Sequence, residues 1–390
     1  MLKIALGHSD DVDSLDAIEE VLARCHAELD GAKPQAALLY TGIDFEHEVI
    51  VKAIHHAYPG ILLLGCTGNA EISSKMGLQE DSVTLACIHS DQIKFALGLG
   101  EGLGGDVKGA TEQAVAQAKS QLEGEPKLCF TLYESLTVSG MAVVDGLQQA
   151  LGPEVPITGG SSAYQWQMKR TYQFIGDQIY SDAVGLLLLS GPVALSYGVD
   201  DGWNTMGERQ SIQIGEPNRL LKIGDLSAGD FYKKYLGSLE KVTGEFPLAV
   251  FEKDRKCGGE DSKDYYLRSP LFYHDDGSIT FGGDLPEGAE VQLTRAKRDE
   301  ILGATRNAYD QAMSRFTGQS PKLVLVTSCA GRKLVLGTRT KEEINSLTEL
   351  FGPDVPIIGY YGNGEVCPLQ GESKACYHNE TIVILILGEA

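Results

Sequence analysis

The sequence lacks any apolar run long enough to cross a membrane. Its longest apolar stretches, residues 184–189 and 382–387, are about strand length, whereas a spanning helix needs roughly 20 residues. The amino terminus (MLKIAL) also lacks the long apolar segment and small-residue cleavage site of a secretory signal, and is typical of a first strand. We therefore expect a cytoplasmic protein without a membrane segment.

Paired cysteine motifs are absent too. The eight cysteines contain no Cys-x-x-Cys pair, and several lie in apolar, strand-like runs. This pattern favours buried free thiols in a reducing compartment over a disulfide framework or a metal site. They are Cys25, Cys66, Cys87, Cys129, Cys257, Cys329, Cys367 and Cys376.

Positive charge is scarce: 33 Lys and Arg stand against 54 Asp and Glu, for a net charge of −21. The summed charge repels phosphate backbones and acidic lipid surfaces. Nucleic acid and membrane surfaces are therefore not expected partners.

The usual catalytic motifs are missing. There is no G-x-S-x-G, no Walker lysine, no G-x-G-x-x-G in a first βα turn and no H-E-x-x-H. An enzyme would have to rely on Cys66 as nucleophile, or on Glu71 and Glu365 as acid and base. We interpret the chain as a non-enzyme, and a hydrolase or transferase stays as an alternative.

A repeated pattern is the most informative feature that is present. Residues 352–359 (GPDVPIIG) match residues 152–159 (GPEVPITG) at six of eight positions. Residues 65–71 (GCTGNAE) and 359–365 (GYYGNGE) both fit G-x-x-G-N-[AG]-E, whereas the middle copy, residues 159–165, ends in Gln165. Internal repeats of this kind decide the architecture.

The flanks of the three turns also agree. An apolar strand precedes an amphipathic helix, a short strand, the glycine turn, a polar segment and a closing strand. The predicted helices are residues 46–57, 139–151 and 341–351, and the closing strands are residues 82–88, 183–189 and 381–387. Since a helix connects the first two strands of each copy, they should pair in parallel. The predicted fold class is α/β, built from repeated β-α-β-turn-β units with mixed sheets flanked by helices.

Residues 196–295 differ from the repeated units in their sequence pattern, since they contain many residues typical of turns and few stretches with helical periodicity. They predict an antiparallel, hairpin-rich region with one helix at residues 227–236. We place a domain boundary near residue 215, which gives two domains, residues 1–215 and 216–390.

A glycine turn directly after a parallel strand lies at the carboxyl edge of the sheet, where open α/β folds bind ligands. Its amides and polar side chains suit a small polar ligand. The alternative is that the glycines only make tight turns and the glutamates cap amides. The predicted ligand-binding residues in the turns are Gly65, Cys66, Thr67, Asn69, Glu71, Gly359, Tyr360, Tyr361, Asn363 and Glu365.

Two arginines and one histidine complete the predicted site. Arg332 follows a predicted strand end and could hold an anion in bidentate fashion, or form an internal salt bridge to Glu365 or Glu343. Arg268 carries a similar argument. His378, just before the last strand, is the candidate haem ligand, with a hydrogen-bonded structural role as the alternative.

These residues resemble the FIST family. The amino-terminal resemblance lies in residues 65–72 and 82–88 and in the turn at residues 198–203. The carboxyl-terminal resemblance covers residues 235–237, 246–248, 267–268, 276–278, 286–289, 328–332, 359–365, 378–379 and 381. It implies a FIST N-terminal domain in residues 1–215 and a FIST C-terminal domain in residues 216–390.

The resemblance implies a bacterial sensor of small ligands in signal transduction, with amino acids proposed as ligands. The layout is similar to haem proteins of the family that sense nitric oxide and regulate a separate histidine kinase. We therefore expect a ligand-binding sensor that regulates such a kinase, through haem and nitric oxide or through amino acids or similar anions. A homo-oligomer stays open.

Overall fold

The computed structural model describes residues 1–237, 245–252, 265–369 and 372–390. Cys257, one of the cysteines predicted to be a buried thiol, lies outside the described residues. The other seven are buried and form no disulfide with one another. Within the described ranges, no helix combines the length and the apolar character that a membrane crossing requires.

The described chain repeats one pattern three times: strand, helix, strand, helix, strand, hairpin, closing strand. The first unit contains β1 (Leu2–Ser9), α1 (Ser14–Leu29), β2 (Ala36–Thr41), α2 (His47–Ala57), β3 (Leu62–Thr67), the hairpin β4 (Glu71–Ser73) and β5 (Gly77–Gln79), and β6 (Val83–Ser90). The second contains β7 (Lys94–Glu101), α3 (Val107–Gln121), β8 (Leu128–Tyr133), α4 (Gly140–Leu151), β9 (Ile157–Ser161), the hairpin β10 (Gln173–Ile175) and β11 (Gln178–Tyr180), and β12 (Ala183–Ser190).

A third unit begins at β13 (Val193–Asp200) and is interrupted by residues 204–295, which we call the hairpin region. This region contains β14 (Asn204–Glu216), β15 (Arg219–Ile223), β16 (Leu226–Ser227), α5 (Ala228–Leu236), β17 (Leu248–Phe251), β18 (Tyr266–Arg268), β19 (Pro270–Tyr273), β20 (Ile279–Phe281) and β21 (Glu290–Arg295). Its recorded strand pairs are antiparallel, which confirms the predicted hairpin-rich character, and α5 confirms the predicted helix.

After the hairpin region, the third unit resumes. It contains α6 (Arg298–Arg315), β22 (Leu323–Cys329), α7 (Ala330–Leu336), a 3-10 turn (Gly337–Arg339), α8 (Thr340–Phe351), β23 (Ile357–Gly362), the hairpin β24 (Glu365–Pro368) and β25 (Ala375–His378), and β26 (Ile382–Glu389). The hairpin region is therefore an insertion between β13 and α6.

In each unit, the strands on either side of the second helix pair in parallel, as predicted: β2 with β3, β8 with β9, and β22 with β23. These strands are almost wholly buried. Helices cover one face and the other units cover the opposite face, which explains their continuous apolar sequences. The predicted mixed sheets flanked by helices are confirmed.

The hairpin of each unit joins the sheet of another unit. Hairpin strand β4 pairs with β23 of the third unit, β10 with β3 of the first, and β24 with β9 of the second. Each of the three sheets therefore contains strands from two units. Residue 215, near the predicted domain boundary, lies inside β14; that boundary stays a prediction.

Candidate functional site

The glycine turns of the three units converge. Three backbone bonds join them: Asn69 N to Tyr361 O (2.8 Å), Ala163 N to Thr67 O (2.7 Å) and Ser161 N to Gly364 O (2.9 Å). Each turn follows the last strand of a parallel pair, and the exchanged hairpins hold the three strand ends together. The carboxyl edges of all three sheets therefore meet at one place.

Two asparagines, one from the first turn and one from the third, bond to each other. Asn69 Nδ2 donates to Asn363 Oδ1 at 3.0 Å, and Asn363 Nδ2 donates to Ser135 Oγ at 3.1 Å. Asn69 is buried, whereas Asn363 is half-buried. Asn363 is thus the part of this pair that solvent reaches.

In each turn, one position is glycine for a steric reason. A Cβ added at Gly65, Gly159 or Gly359 would collide with a backbone carbonyl of the parallel neighbouring strand. Glycine at this place allows the two strands to approach. The close approach of the two strands is therefore enough to explain why these three positions are glycine. This agrees with the alternative that the glycines have a purely architectural role.

Cys66 and Tyr360 occupy equivalent positions, since both lie opposite the first residue of an incoming hairpin. Both side chains are buried in the core where the three sheets face each other, and the Tyr360 ring stacks on Tyr40 with a 4.6 Å centroid separation. Burial raises the pKa of the Cys66 thiol above its ordinary value. The two residues fill the interior of the fold.

Glu71 and Glu365 have the same geometry in two units. One carboxylate oxygen of Glu71 accepts from Ser82 N (3.2 Å) and Ser82 Oγ (2.9 Å), and Glu365 accepts from Thr381 N and Oγ1 at the same distances. Both residues are fully buried. Burial raises the pKa of Glu71 to about 8 and that of Glu365 well above its ordinary value, although the hydrogen bonds act in the opposite direction.

In the second unit, Gln173 and not Gln165 takes this place. Gln173 begins β10 and lies opposite Cys66, whereas Gln165 bonds to Ile43 N and Asp81. The second unit has a longer segment between its turn and its hairpin. Aligning the turns without a gap therefore selects the wrong glutamine.

A buried histidine, which the sequence did not single out, extends the Glu71 network. The ring nitrogens of His8 lie 2.7 Å from Ser73 Oγ and 2.9 Å from Ser82 Oγ. Because Ser82 Oγ donates its hydrogen to Glu71, it accepts one from His8 Nε2. Burial lowers the pKa of His8 to about 4, so the ring is neutral at pH 7.

Arg332 is buried in an internal ion pair. Its Nη2 lies 2.5 Å from Glu343 Oε1, and the guanidinium also donates to the backbone oxygens of Asp201 and Ile301. Tyr361 donates to the same Glu343 carboxylate. Arg332 and Glu343 are both fully buried, so the structure places Arg332 in the Glu343 salt bridge that the sequence left as the alternative.

A cavity of about 680 Å³ opens beside the third turn. It lies between α4, the end of the hairpin region and β25. The described residues of its wall combine apolar groups with four charged residues: Met141, Val144, Asp145, Glu252, Pro286, Glu287, Gly288, Ala289, Lys374, Ala375 and Tyr377. Except for short motif matches around residues 286–289, nothing in the sequence pointed to this wall, because its described residues come from four separate segments.

Tyr377 connects this cavity to the third turn. A Cβ added at Gly140 or Gly364 would collide with its side chain, and one at Gly283 would lie 2.9 Å from its ring. Its hydroxyl donates to Gly282 O at 2.7 Å. Tyr377 is thus packed between α4, the hairpin region and the third turn.

Arg268, predicted as a ligand residue, lies next to the same wall. Its guanidinium carbon is 5.3 Å from the centre of the Tyr377 ring, and its Nη2 is 3.0 Å from Met141 Sδ. Nε and Nη1 donate to Asp284 O and Leu267 O. It is fully buried and supports the wall instead of forming it.

Two further buried acceptors follow Tyr377 in the chain. Glu380 Oε1 accepts from Ser269 Oγ at 2.5 Å, and Asn379 Nδ2 donates to the Tyr377 hydroxyl at 3.1 Å. Glu380 Oε2 and Asn379 Oδ1 have no hydrogen-bond donor among the described residues. Burial raises the pKa of Glu380 to about 8.

His378 does not fit a haem ligand through Nε2. Nε2 lies 2.9 Å from the carbonyl oxygen of Cys367, and the side chain is only 5% exposed. Binding iron at this atom would require breaking a buried hydrogen bond. Over the described ranges, no group of three or more His, Cys, Asp or Glu side chains is arranged to hold a metal ion.

Two models of protein families match most of the chain. Residues 35–225 match the FIST N domain and residues 228–368 match the FIST C domain. The chain belongs to the FIST family. FIST domains are generally associated with the sensing of small ligands in signal transduction, which suits a fold whose units meet at a polar edge beside a cavity.

No curated protein matches this FIST chain. Among solved structures, it is similar to a cyanuric acid hydrolase from A. caulinodans, with 11% identity, 99% of each chain covered and a TM-score of 0.37. It is also similar to T. maritima PurL complexed with ATP, with 12% identity, 100% of this chain and 71% of that chain covered, and a TM-score of 0.23. At these scores, the likenesses carry no argument about function.

Proposed function

We propose that this FIST protein is a cytoplasmic bacterial sensor that binds a small polar ligand in the cavity beside Tyr377. The cavity's volume lies within the usual range of about 300–1,000 Å³ for small-molecule sites. One observation carries the proposal: the aromatic side chain in its wall is packed directly against the third glycine turn. A ligand at the wall can therefore act on the place where the three units meet.

The signal would pass through Tyr377. Tyr377 lines the cavity, while its hydroxyl donates to Gly282 O in the hairpin region and accepts from Asn379 Nδ2. A ligand that prefers one ring position shifts the population of that position, because only differential affinity for two states can shift an equilibrium. Turn three then changes its bond to Ser161 of turn two.

We propose a separate histidine kinase as the recipient of this signal. The two FIST matches span residues 35–225 and 228–368, and FIST domains are generally associated with the sensing of small ligands in signal transduction. Adding the purified chain to such a kinase, with and without ligand, should change the rate of autophosphorylation. An unchanged rate under both conditions would remove the kinase from the proposal.

The ligand alternatives differ in structural support. The anion version relied on Arg332, whose guanidinium is paired with Glu343. The haem and nitric oxide version relied on His378, whose Nε2 is bonded to Cys367 O. Adding haem to the purified chain and recording the absorption spectrum tests this version, which we expect to give no Soret band of a ligated haem.

The proposal also holds that the chain is a receptor and not an enzyme. The thiol of Cys66 is fully buried and burial raises its pKa, whereas a nucleophilic cysteine needs an accessible thiolate. We expect iodoacetamide to leave Cys66 unmodified in the native protein and to label it after unfolding in urea. Rapid native labelling would reopen the hydrolase or transferase alternative.

A thermal-shift screen of the full chain against small polar metabolites tests the binding claim. A compound bound only by the native state must raise the melting temperature. We expect at least one hit, and we expect Met141→Trp, which places a large side chain in the cavity wall, to abolish its effect. A screen without hits, or hits that persist in Met141→Trp, would contradict the proposed site.

A further inference from the structure

We propose that the cavity beside Tyr377 takes a small aliphatic dication, such as an alkane diamine. This inference rests on the proposed function, because it names the ligand class for the same site. It replaces the anionic ligand that the sequence suggested.

The charged groups of the cavity wall are mostly acidic. Among the described residues of the wall, the carboxylates of Asp145, Glu252 and Glu287 are accompanied by one cation, Lys374. If Lys374 neutralises one carboxylate, two negative charges remain for a ligand to balance. An anion would meet repulsion from the wall, whereas a ligand with two ammonium groups would complete the charge balance.

Two of the wall's carboxylates, those of Asp145 and Glu287, are exposed to solvent. Glu252 is half-buried, and its Oε1 accepts a hydrogen bond from the Tyr266 hydroxyl at 2.6 Å. Arg268, a buried cation next to the wall, donates to the neutral carbonyl oxygens of Asp284 and Leu267, and its guanidinium carbon lies 5.3 Å from the centre of the Tyr377 ring.

The remainder of the wall suits a short carbon chain. Met141, Val144, Ala289 and Ala375 provide apolar surface in the same wall. The Tyr377 ring adds an aromatic edge, and ammonium groups are attracted to aromatic rings as well as to carboxylates. Methylene groups against this surface and ammonium groups at the carboxylates would place every part of a diamine next to a matching group.

Beside Tyr377, Asn379 Oδ1 is buried and lacks a hydrogen-bond donor among the described residues. Asn379 Nδ2 donates to the Tyr377 hydroxyl, so this acceptor lies next to a residue of the wall. An ammonium group supplies donors and no acceptor, so it matches an unsatisfied acceptor better than a carboxylate does.

The test compares ligands of the same length and different charge on the full chain. Butane-1,4-diamine, 4-aminobutanoate and butanedioate differ chiefly in their terminal groups, and pentane-1,5-diamine checks the length. We expect a diamine at saturating concentration to raise the melting temperature by about 2 °C or more and the dianion to have no effect. Affinity should fall as salt screens the exposed carboxylates of Asp145 and Glu287.

Matched variants distinguish diamine binding in the cavity from nonspecific attraction of cations to a protein with a net charge of −21. Asp145→Asn and Glu287→Gln should each weaken diamine binding about tenfold, which corresponds to 1.4 kcal/mol. Glu349→Gln removes one charge from an exposed position on α8 and should leave the affinity unchanged. Equal binding by all three variants would overturn the assignment, because it would show nonspecific attraction.

The outcomes also separate this inference from the proposed function. If 4-aminobutanoate or butanedioate binds in the cavity and the diamines do not, the dication is wrong and the sensor proposal stands. The same holds if only unrelated compounds bind and Met141→Trp abolishes their effect. If no compound binds, the dication inference and the sensor proposal are both contradicted.

Discussion

At the scale of single residues, the glycine turns show how close backbone approach determines residue type. Gly65, Gly159 and Gly359 recur because the parallel neighbour's carbonyl occupies the space where a Cβ would lie. Repetition of a motif is therefore compatible with packing alone. The candidate ligand cavity is formed instead by residues that are not repeated.

Replacing Gly359 by alanine should destabilise the protein by about 3 kcal/mol, because the strands must separate to admit the methyl group. The matched control is Gly303→Ala in α6, where an added Cβ meets nothing within 4 Å. There, alanine should stabilise by about 0.5–1 kcal/mol. Urea denaturation measures both, and a Gly359→Ala variant as stable as the parent would contradict the steric explanation.

Buried carboxyl groups should make stability depend on pH. The pKa of Glu71 is raised from 4.5 to about 8, so the native state keeps a proton that the unfolded state releases within that range. Stability should therefore fall as the pH rises from about 5 to about 8, by up to about 1.4 kcal/mol per pH unit for each such group.

Glu71→Gln should reduce this pH dependence, because glutamine cannot release a proton. Glu349→Gln, at an exposed position, should leave the profile unchanged. The measurement is the free energy of unfolding in urea at several pH values. Parallel profiles for the parent and Glu71→Gln would show that Glu71 has an ordinary pKa in the native state.

At the scale of elements, the exchanged hairpins are the feature that holds the units together. Strand β10 places Phe174 in the core of the first unit, although its own unit is the second. Its ring is fully buried and lies 5.1 Å from that of His47. The stability of one unit therefore depends on side chains supplied by another.

Phe174→Ala should cost about 3–5 kcal/mol, because it leaves a cavity in a core formed by two units. Phe272→Ala provides the comparison, since Phe272 lies on β19 with 46% of its surface exposed. That change should alter the free energy of unfolding by less than about 0.5 kcal/mol. Similar losses for the two variants would argue against the exchanged arrangement of β10.

The sequence patterns predicted the helices and strands better than they predicted which strands pair with each other. Hydrophobic periodicity located α2, α4 and α8 and the parallel strand pairs, because local burial determines it. The hairpins of three residues per strand carry too little pattern to reveal which sheet they join. For the same reason, Gln165 was aligned in place of Gln173, and the cavity wall around Tyr377 stayed undetected.

The side chains of the predicted site residues point in different directions, so these residues do not all lie on one side of the turns. Successive residues on a strand face opposite sides, so Tyr360 enters the core while Tyr361 bonds to Glu343. The sequence places both in one turn but does not show which side faces a ligand. Arg332 likewise follows a strand end, yet its partner Glu343 lies on a helix that the turn motif does not include.

At the scale of the whole molecule, exchange of hairpins makes the three units interdependent. Each of the three sheets contains strands from two units, so the units cannot separate without exposing sheet edges and core. Backbone hydrogen bonds connect each turn directly to the other two. This interdependence is what a sensor built on the convergence of the turns requires.

We expect the described units to unfold together in urea. Fluorescence reports chiefly on the buried Trp203, next to the hairpin region, and far-UV circular dichroism reports on all units. The two transitions should coincide. Well-separated midpoints would show that one part unfolds independently, in disagreement with shared sheets.

Hydrogen exchange with saturating butane-1,4-diamine tests the central claim most directly. The account predicts slower exchange at the cavity wall, residues 286–289 and 374–377, and also at the third turn, residues 361–365. In Tyr377→Phe, which lacks the hydroxyl bonded to Gly282 O, slowing should persist at the wall and weaken at the turn. Slowing that never reaches the third turn in the parent protein would contradict a sensor that signals through Tyr377.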